Sequence, residues 1–339
     1  MNNKTEWAFE QIWNDSLTPV ERNPEPRERI FASELGGAMI DRFLKMKGVA
    51  YSTPPNMRSL RKFQAGVYWE WVISLVLKRA GLIISQQDRL EFAYDGLLPV
   101  SGKIDFLAGG TPDWDKARSE MNLYDLPEFV KKVNDAIIDN FEASGITEFK
   151  KMVLEIKSAS SFVFRSIEAN DAPLKNHVLQ CFHYIKGLNL DEGHIVYIDK
   201  DSCLIKEFGV YNPSPTESVY KKDIETITGY FRANQRPPLE PLIGWENGKF
   251  TVSKAVEYSN YLELLYGFET PEQYRATVNK TVTSANRVVK RIIDGAKMTD
   301  KNKEAIDGIK KYYSNFDELI DEAKELAKQG KLVEEEVEE

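Results

Sequence analysis

The chain has 339 residues, 42% of them apolar and 29% charged, with 45 basic and 53 acidic side chains for a net charge of −8. That length holds one large or two modest domains with a real core, and no apolar run reaches the roughly 18–20 residues needed to cross a bilayer. The acidic balance excludes a protein coated in basic surface but not one with a single local basic groove.

Met1-Asn2-Asn3-Lys4-Thr5-Glu6 lacks the layout of a secretory signal. Cys181 and Cys203 are the only cysteines. Two thiols suit a reducing compartment, so a cytoplasmic location is expected (a host cytoplasm if the source is viral). They cannot supply a four-cysteine zinc or iron–sulfur site.

Residues 1–30 are polar, carry Pro19, Pro24 and Pro26, and read as an arm. A helical stretch starts at Ser33-Glu34-Leu35 and runs to about Lys47. After a Pro54-Pro55 loop, a long helix is expected over 59–80, stopped by Gly81. Its apolar positions Val67, Trp71, Ile73, Leu75, Val76 and Leu77 predict a largely buried helix. Strands near 83–95 and 98–108 follow, with Asp95-Gly96 as a hairpin turn. Residues 109–148, turn-rich at first and then helical over 127–143, read as an insertion between two central strands. A strand at 150–157, a helix at 173–187, strands at 193–199 and 203–210 and a helix at 216–233 complete the region. Beyond about 240 a short strand pair is expected around Gly248. Helices follow at 252–266, 271–294, 299–313 and 315–329, and an acidic tail at 331–339. The pattern is an α/β core over 31–240, a mixed central β-sheet flanked by helices, with a helical C-terminal extension over 241–330.

Within the core, polar groups interrupt apolar sequence in an ordered way. Asp105 closes Gly102-Lys103-Ile104-Asp105. Glu155 and Lys157 flank Ile156 after Met152-Val153-Leu154. On a strand, residues two apart share a face, so Glu155 and Lys157 point together and Ile156 points away. Neighbouring strands would let Asp105 and Glu155 share a divalent cation. Mg²⁺ keeps several waters and needs only two carboxylates and a carbonyl, for which Ile156 is placed. Such an ion polarises a phosphodiester and activates water, while Lys157 orients that water or steadies developing charge. The competing reading makes Asp105 a turn cap and Glu155–Lys157 a surface ion pair. The apolar run before Glu155, and Ser158-Ala159-Ser160-Ser161 after Lys157, favour an interior strand ending at an open edge, where ligands bind in α/β sheets.

Glu70 lies among Trp69, Trp71 and Val72 and needs a partner, either a metal or an arginine such as Arg61. His177, Gln180 and Tyr184 share one helix face, where Gln180 and Tyr184 can meet a phosphate or the attacking water. His183 and His194 show no metal-ligand spacing. Arg58, Arg61, Lys62, Lys103, Ser158, Arg165 and Lys175 are candidates to line a nucleic-acid groove. Lys280, Arg287, Lys290 and Arg291 read as a solvated face.

Taken together, Gly66-Val67-Tyr68-Trp69-Glu70, Gly102-Lys103-Ile104-Asp105, Glu155-Ile156-Lys157 and Gln180-Cys181-Phe182-His183-Tyr184 resemble, in order, the motifs of the RecB-type branch of the PD-(D/E)XK nuclease superfamily, over roughly residues 30–235. The resemblance implies a restriction-endonuclease-like core, Mg²⁺ or Mn²⁺ as cofactor, and DNA hydrolysis, often exonucleolytic. It puts Glu70, Asp105 and Glu155 in the role of metal ligands, Lys157 in that of catalytic lysine, and Gln180 and Tyr184 as supporting residues. DNA is the implied partner, single- or double-stranded, together with a recombination or replication protein and no membrane. Many relatives, including CRISPR-associated spacer-processing nucleases, carry an iron–sulfur cluster that this chain cannot hold. The sequence leaves open a structure-specific endonuclease or a non-catalytic binding module on the same scaffold.

Overall fold

The structure is a computed structural model describing residues 13–17, 23–122, 127–145, 147–246, 248–310, 313 and 316–329. The acidic tail and most of residues 1–22 lie outside the described residues. The chain divides into two compact units. The first takes the described residues up to 37 together with 42–49 and 55–236, and the second takes 38–41, 50–54 and the described residues from 237 onward.

The first unit is built on a mixed five-stranded sheet in the order β2-β5-β6-β7-β8. Its strands are β2 (Ile83–Gln86), β5 (Phe106–Gly110), β6 (Phe149–Ala159), β7 (Glu192–Asp199) and β8 (Ile205–Tyr211). Only β6 and β7 run parallel. A small three-stranded sheet, β1 (Ile30–Phe31), β4 (Val100–Lys103) and β3 (Arg89–Phe92), sits in the same unit. Helices α1 (Met39–Met46), α2 (Met57–Arg79), α3 (Trp114–Asn122), α4 (Glu128–Ala143), α5 (Ser161–Asn170), α6 (Lys175–Gly187) and α7 (Thr216–Arg232) complete it, the first three residues of α1 counting with the second unit. The α/β class, with helices flanking a mixed sheet and a helical C-terminal region, is the one expected.

Helix α2 starts where the Asn56 side chain accepts from Ser59 N–H at 3.0 Å, satisfying one of the free first-turn donors. It ends at Gly81, whose φ of +66° turns the chain back; a Cβ there would fall 2.8 Å from Asp113 N. Trp69, Ile73 and Leu77 pack on Phe106, Ile156 and Ile198, so α2 covers one face of the sheet. Leu75 faces the insertion instead, against Ala117, Met121 and Ile138 of α3 and α4. The expectation of a largely buried helix is corrected here, because Val67, Trp71 and Val76 are exposed. The helix is apolar nearly all round, and sequence spacing could not say which stripe the sheet takes.

Helix α6 lies on the opposite face. Its residues from Leu179 to Ile185 are all buried. A Cβ on Gly193 of β7 would meet Ile185 at 3.0 Å, so glycine sets the closeness of helix and sheet.

The two strands expected over 83–95 and 98–108 are each split in two. Gln87 adopts a left-handed φ of 57°, and its N–H donates to the Ile104 carbonyl at 2.8 Å, while Ile104 N–H donates to the Asp88 carbonyl at 2.9 Å. The chain crosses from one sheet to the other at this double step. β3 and β4 still pair antiparallel, around a longer turn than Asp95-Gly96 alone. Helices α3 and α5 had no counterpart in the sequence reading.

In the second unit, β9 (Ile243–Glu246) and β10 (Lys249–Val252) form a hairpin, followed by α8 (Lys254–Glu257), α9 (Leu262–Tyr266), α10 (Pro271–Ile293), α11 (Asp300–Lys310) and α12 (Phe316–Lys328). The one helix expected over 252–266 is broken between Tyr258 and Tyr261. There Asp41 accepts from Ser259 Oγ at 2.8 Å and Asn260 N–H at 3.2 Å. The core gathers Phe250, Tyr274, Val278, Val282, Val289 and Phe316.

Candidate metal centre

Strand parity sets the first part of the site. Along β6, Leu154 and Ile156 turn toward α2, while Glu155 and Lys157 turn toward α6. Antiparallel pairing of β5 with β6 stops at Phe106 opposite Leu154. Asp105 is the next residue, and there the chain has left the ladder. Its Oδ2 takes the place of a strand partner and accepts from Ile156 N–H at 2.8 Å. In a strand the N–H and C=O of one residue point the same way, so the Ile156 carbonyl also faces the gap where β5 ends.

Glu155 is fully buried. Its Oε1 accepts from Lys157 Nζ at 2.5 Å, and its Oε2 has no hydrogen-bond partner. A buried carboxylate oxygen left unmatched costs about 1–3 kcal/mol or more. Burial pushes the Glu155 carboxyl up to about 8, against the pull of Lys157 and with a further push from Asp105. Asp105 is likewise raised by burial, opposed by Lys157 and by its bond to Ile156. Burial opposes the Lys157 charge, but Glu155 and Asp105 outweigh it and hold the ammonium protonated above its ordinary pKa. This settles the alternative of a surface ion pair, because the pair is an interior one.

Gln180 and Tyr184, one turn apart on α6, tie the lysine down. Lys157 Nζ also donates to Gln180 Oε1 at 3.2 Å. Gln180 Nε2 donates to Tyr184 Oη at 3.3 Å, and Tyr184 donates to the Lys103 carbonyl at 2.8 Å. Gly102 makes room for this contact: a Cβ there would stand 2.6 Å from Tyr184 Oη and 2.7 Å from Ala32 Cβ. The four residues form one continuous chain of hydrogen bonds from Lys157 to the end of β4. A polar cleft of about 290 Å³, with Ser33, Arg89, Ser101, Lys103, Gln180 and Tyr184 in its walls, opens beside it.

His177 shares the α6 face with Gln180 but is held apart. Tyr197 Oη accepts from Leu174 N–H at 3.0 Å and shares a hydrogen bond of 2.8 Å with His177 Nδ1. Burial, and after it Lys157, pushes the imidazole down to about 3, so it stays neutral. His183 and His194 bond Tyr220 and Glu207.

Glu70 reaches the site from α2, on the other face of the sheet. Its carboxyl is raised by burial and by Asp105. Its Oε1 accepts from Gln87 Nε2. Arg61 is not its partner; Arg61 donates to Asn14 Oδ1 at 3.0 Å. Gln87 is the residue that sequence reasoning missed. A glutamine in a glutamine pair carries no turn signature, and only its left-handed backbone brings it here.

Among the described residues, no three His, Cys, Asp or Glu side chains are gathered closely enough to form a closed ligand set. A hard ion that keeps most of its water does not need one. The orphaned Oε2 of Glu155, the Asp105 carboxylate and the outward Ile156 carbonyl fit that requirement. Of the basic candidates, Arg58, Lys62, Lys103, Arg165 and Lys175 are exposed, and Ser158 is partly buried at the end of β6. Both cysteines are free.

No family model matches the chain, and no curated protein sequence matches it. Among solved structures it is similar to SSO0001 (14% identity, TM-score 0.37, covering 63% of this chain and 80% of that one). It is similar also to LHK-Exo in complex with dAMP (10%, 0.37, 60% and 88%), and to the alkaline exonuclease LHK-Exo from Laribacter hongkongensis (9%, 0.32, 61% and 89%). At these identities and scores, function has to be argued from the site itself.

Proposed function

We propose that this chain is a metal-dependent nuclease that hydrolyses DNA phosphodiester bonds, acting from an end, with Mg²⁺ or Mn²⁺ as cofactor. The observation that carries the reading is the buried, unmatched Glu155 Oε2 beside Asp105 and Lys157. Such a group is expensive in a folded protein unless something binds it.

Asp105, Glu155 and the Ile156 carbonyl would hold the ion, with Glu70 joining through water from the far side of β5. When bound, the ion polarises the phosphoryl oxygen and lowers the pKa of water. Lys157 keeps its proton and places positive charge where the phosphate becomes more negative in the transition state. Gln180 fixes the lysine head, and Tyr184 fixes Gln180. A sheet end and an open cleft with Lys103 and Arg89 suit a chain of phosphates. The proposed setting is replication, repair or recombination of DNA.

The test is Mg²⁺- and Mn²⁺-dependent degradation of end-labelled linear DNA by the wild type, Asp105→Asn and Lys157→Ala. The reading expects each variant to lose at least about a hundredfold in rate. Undiminished activity in both would overturn it. Closed circular DNA separates the two modes: intact circles support end-dependent cutting, and cut circles support an endonuclease.

A further inference from the structure

The small three-stranded sheet carries a feature that its own packing does not require. Antiparallel pairing sets Arg89 of β3 directly opposite Lys103 of β4, so both side chains leave the same face. Two cations in that position repel each other. On the same face Glu91 stands opposite Ser101, and Ser101 stands opposite Phe31 of β1. Among the described residues, no ion pair joins Glu91 or any other carboxylate to Arg89 or Lys103.

Both cations line the polar cleft of about 290 Å³ beside Gln180 and Tyr184, together with Ser33 and Ser101. Among the described residues, no carboxylate lines it. Ser101 is 2% exposed, and its hydroxyl has no hydrogen-bond partner among the described residues. A buried hydroxyl in that position costs stability unless a ligand or water meets it. The cleft therefore offers positive charge and hydroxyls, and no negative charge, in a chain of net charge −8. That is the complement of an anion with several acceptor oxygens. A guanidinium matches a phosphate best, through two parallel bonds.

The cleft adjoins the candidate metal centre. Gln180 and Tyr184 form part of its wall and also the relay to Lys157. Lys103 stands two residues before Asp105, at most about 7 Å of chain. Its charge is felt at Glu70, whose carboxyl burial raises and Lys103 lowers. An anion in the cleft is thus a near neighbour of anything held between Asp105 and Glu155.

We propose that Arg89, Lys103 and Ser101 hold a phosphate of the bound strand that neighbours the one being cut. The subsite takes an internal phosphodiester or a terminal phosphomonoester, which share the non-bridging oxygens these groups meet. It deepens the nuclease reading and rests on that reading for the position of the cut. Arg89 grips the strand and touches no reacting atom, so its contribution falls on substrate binding rather than on bond breaking. Arg89 and Ser101 had no place in the sequence reading, because only the register of β3 on β4 brings them to Lys103.

Methylphosphonates, which remove the charge of one linkage at a time, locate the contact. DNA oligonucleotides neutralised singly at successive linkages around the first cut, with and without a terminal phosphate, would be given in Mg²⁺ to the wild type, Arg89→Ala, Arg89→Lys and Ser101→Ala. Arg89 is exposed, so its variants are expected to fold. Arg89→Ala should raise KM about tenfold or more while kcat moves less than about threefold, and Arg89→Lys should recover part of that loss. Ser101→Ala should raise KM about threefold. At one position beside the cut, neutralising the substrate should cost the wild type the same factor as Arg89→Ala and cost that variant nothing further. An internal linkage with this behaviour makes the backbone the source of the phosphate; a terminal phosphate with it makes the strand end the source. An unchanged KM in Arg89→Ala, a loss confined to kcat, or losses that multiply at every linkage and at both ends would overturn the proposal. Binding decides the matter without cutting. In EDTA, the anisotropy of the same labelled strands should show Arg89→Ala losing about 0.7–0.9 from the slope of log affinity against log salt, and binding intact and neutralised strands alike. A protein that discriminates in this way but never cuts keeps the subsite and loses the nuclease; one that cuts, with Arg89→Ala indistinguishable from the wild type, does the reverse.

Discussion

Glu155→Gln separates the electrostatic account of the site from any assumption about catalysis. Without metal, the Glu155 carboxyl is pushed from 4.5 up to about 8, first by burial. The folded state therefore keeps a proton that the unfolded chain has lost, and stability must fall as pH rises through that window. The window spans about 3.5 pH units, and at 1.36 kcal/mol per unit it sets a ceiling of about 5 kcal/mol. Glutamine has the shape of the protonated acid and still offers an oxygen to Lys157, but it never has to charge. The variant should match the wild type near pH 4.5, overtake it steadily and stop gaining above about pH 8. For a unit of this size 1 kcal/mol moves Tm by about 2–4 °C, so the ceiling corresponds to a separation of about 10–20 °C. Calorimetry in EDTA from pH 5 to 9 reads it directly. Parallel melting curves, or a variant that melts below the wild type at pH 9, would refute the reasoning.

Three further outcomes follow from other parts of the structure. Mn²⁺ affinity, followed by titration calorimetry, should rise by up to tenfold per pH unit toward pH 8 and level off above it, because the ion must displace the Glu155 proton; a flat profile contradicts this. Gly102→Ala drives a Cβ to within 2.6 Å of Tyr184 Oη, so it should cost about 1–3 kcal/mol in a melting experiment and slow cleavage by displacing Tyr184 from the Lys103 carbonyl. Arg42→Ala removes a buried guanidinium that meets both oxygens of Asp223 at 2.7 and 2.8 Å, and denaturation should show a loss of about 3–5 kcal/mol.

Much of the first unit was readable because its signals were long. Helices α2, α6 and α7 and strands β6, β7 and β8 show extended apolar runs closed by Gly81, Gly187, the Asp199–Ser202 turn and Pro237. The split of the early strands was not readable. Ser85-Gln86-Gln87-Asp88-Arg89 is a polar run without glycine or proline to mark a break, and the step between sheets depends on a left-handed glutamine that no propensity favours. Helix α3 hides in a turn-rich segment, and α5 follows a serine run with only Ser160 to mark its start.

The site divides along the same line. Parity alone gave the shared face of Glu155 and Lys157, and helical spacing gave Gln180 beside Tyr184. The full burial of Glu155 and the reach of Asp105 to Ile156 N–H needed the break at the end of β5. The partner of Glu70 could not be found from α2, since Gln87 comes from a different element and arrives through its backbone conformation. The exposed side of α2 was hidden for a simpler reason: an all-round apolar helix looks buried until the sheet chooses its side.

Anomalous diffraction at the manganese edge, from a crystal grown or soaked with Mn²⁺, bears most directly on the central claim. The account predicts one ion about 2.1–2.2 Å from Asp105 and Glu155 oxygens and the Ile156 carbonyl, with Glu155 Oε2 no longer unmatched. Carboxylates left as they are, with no anomalous peak between them at saturating Mn²⁺ above pH 8, would contradict it.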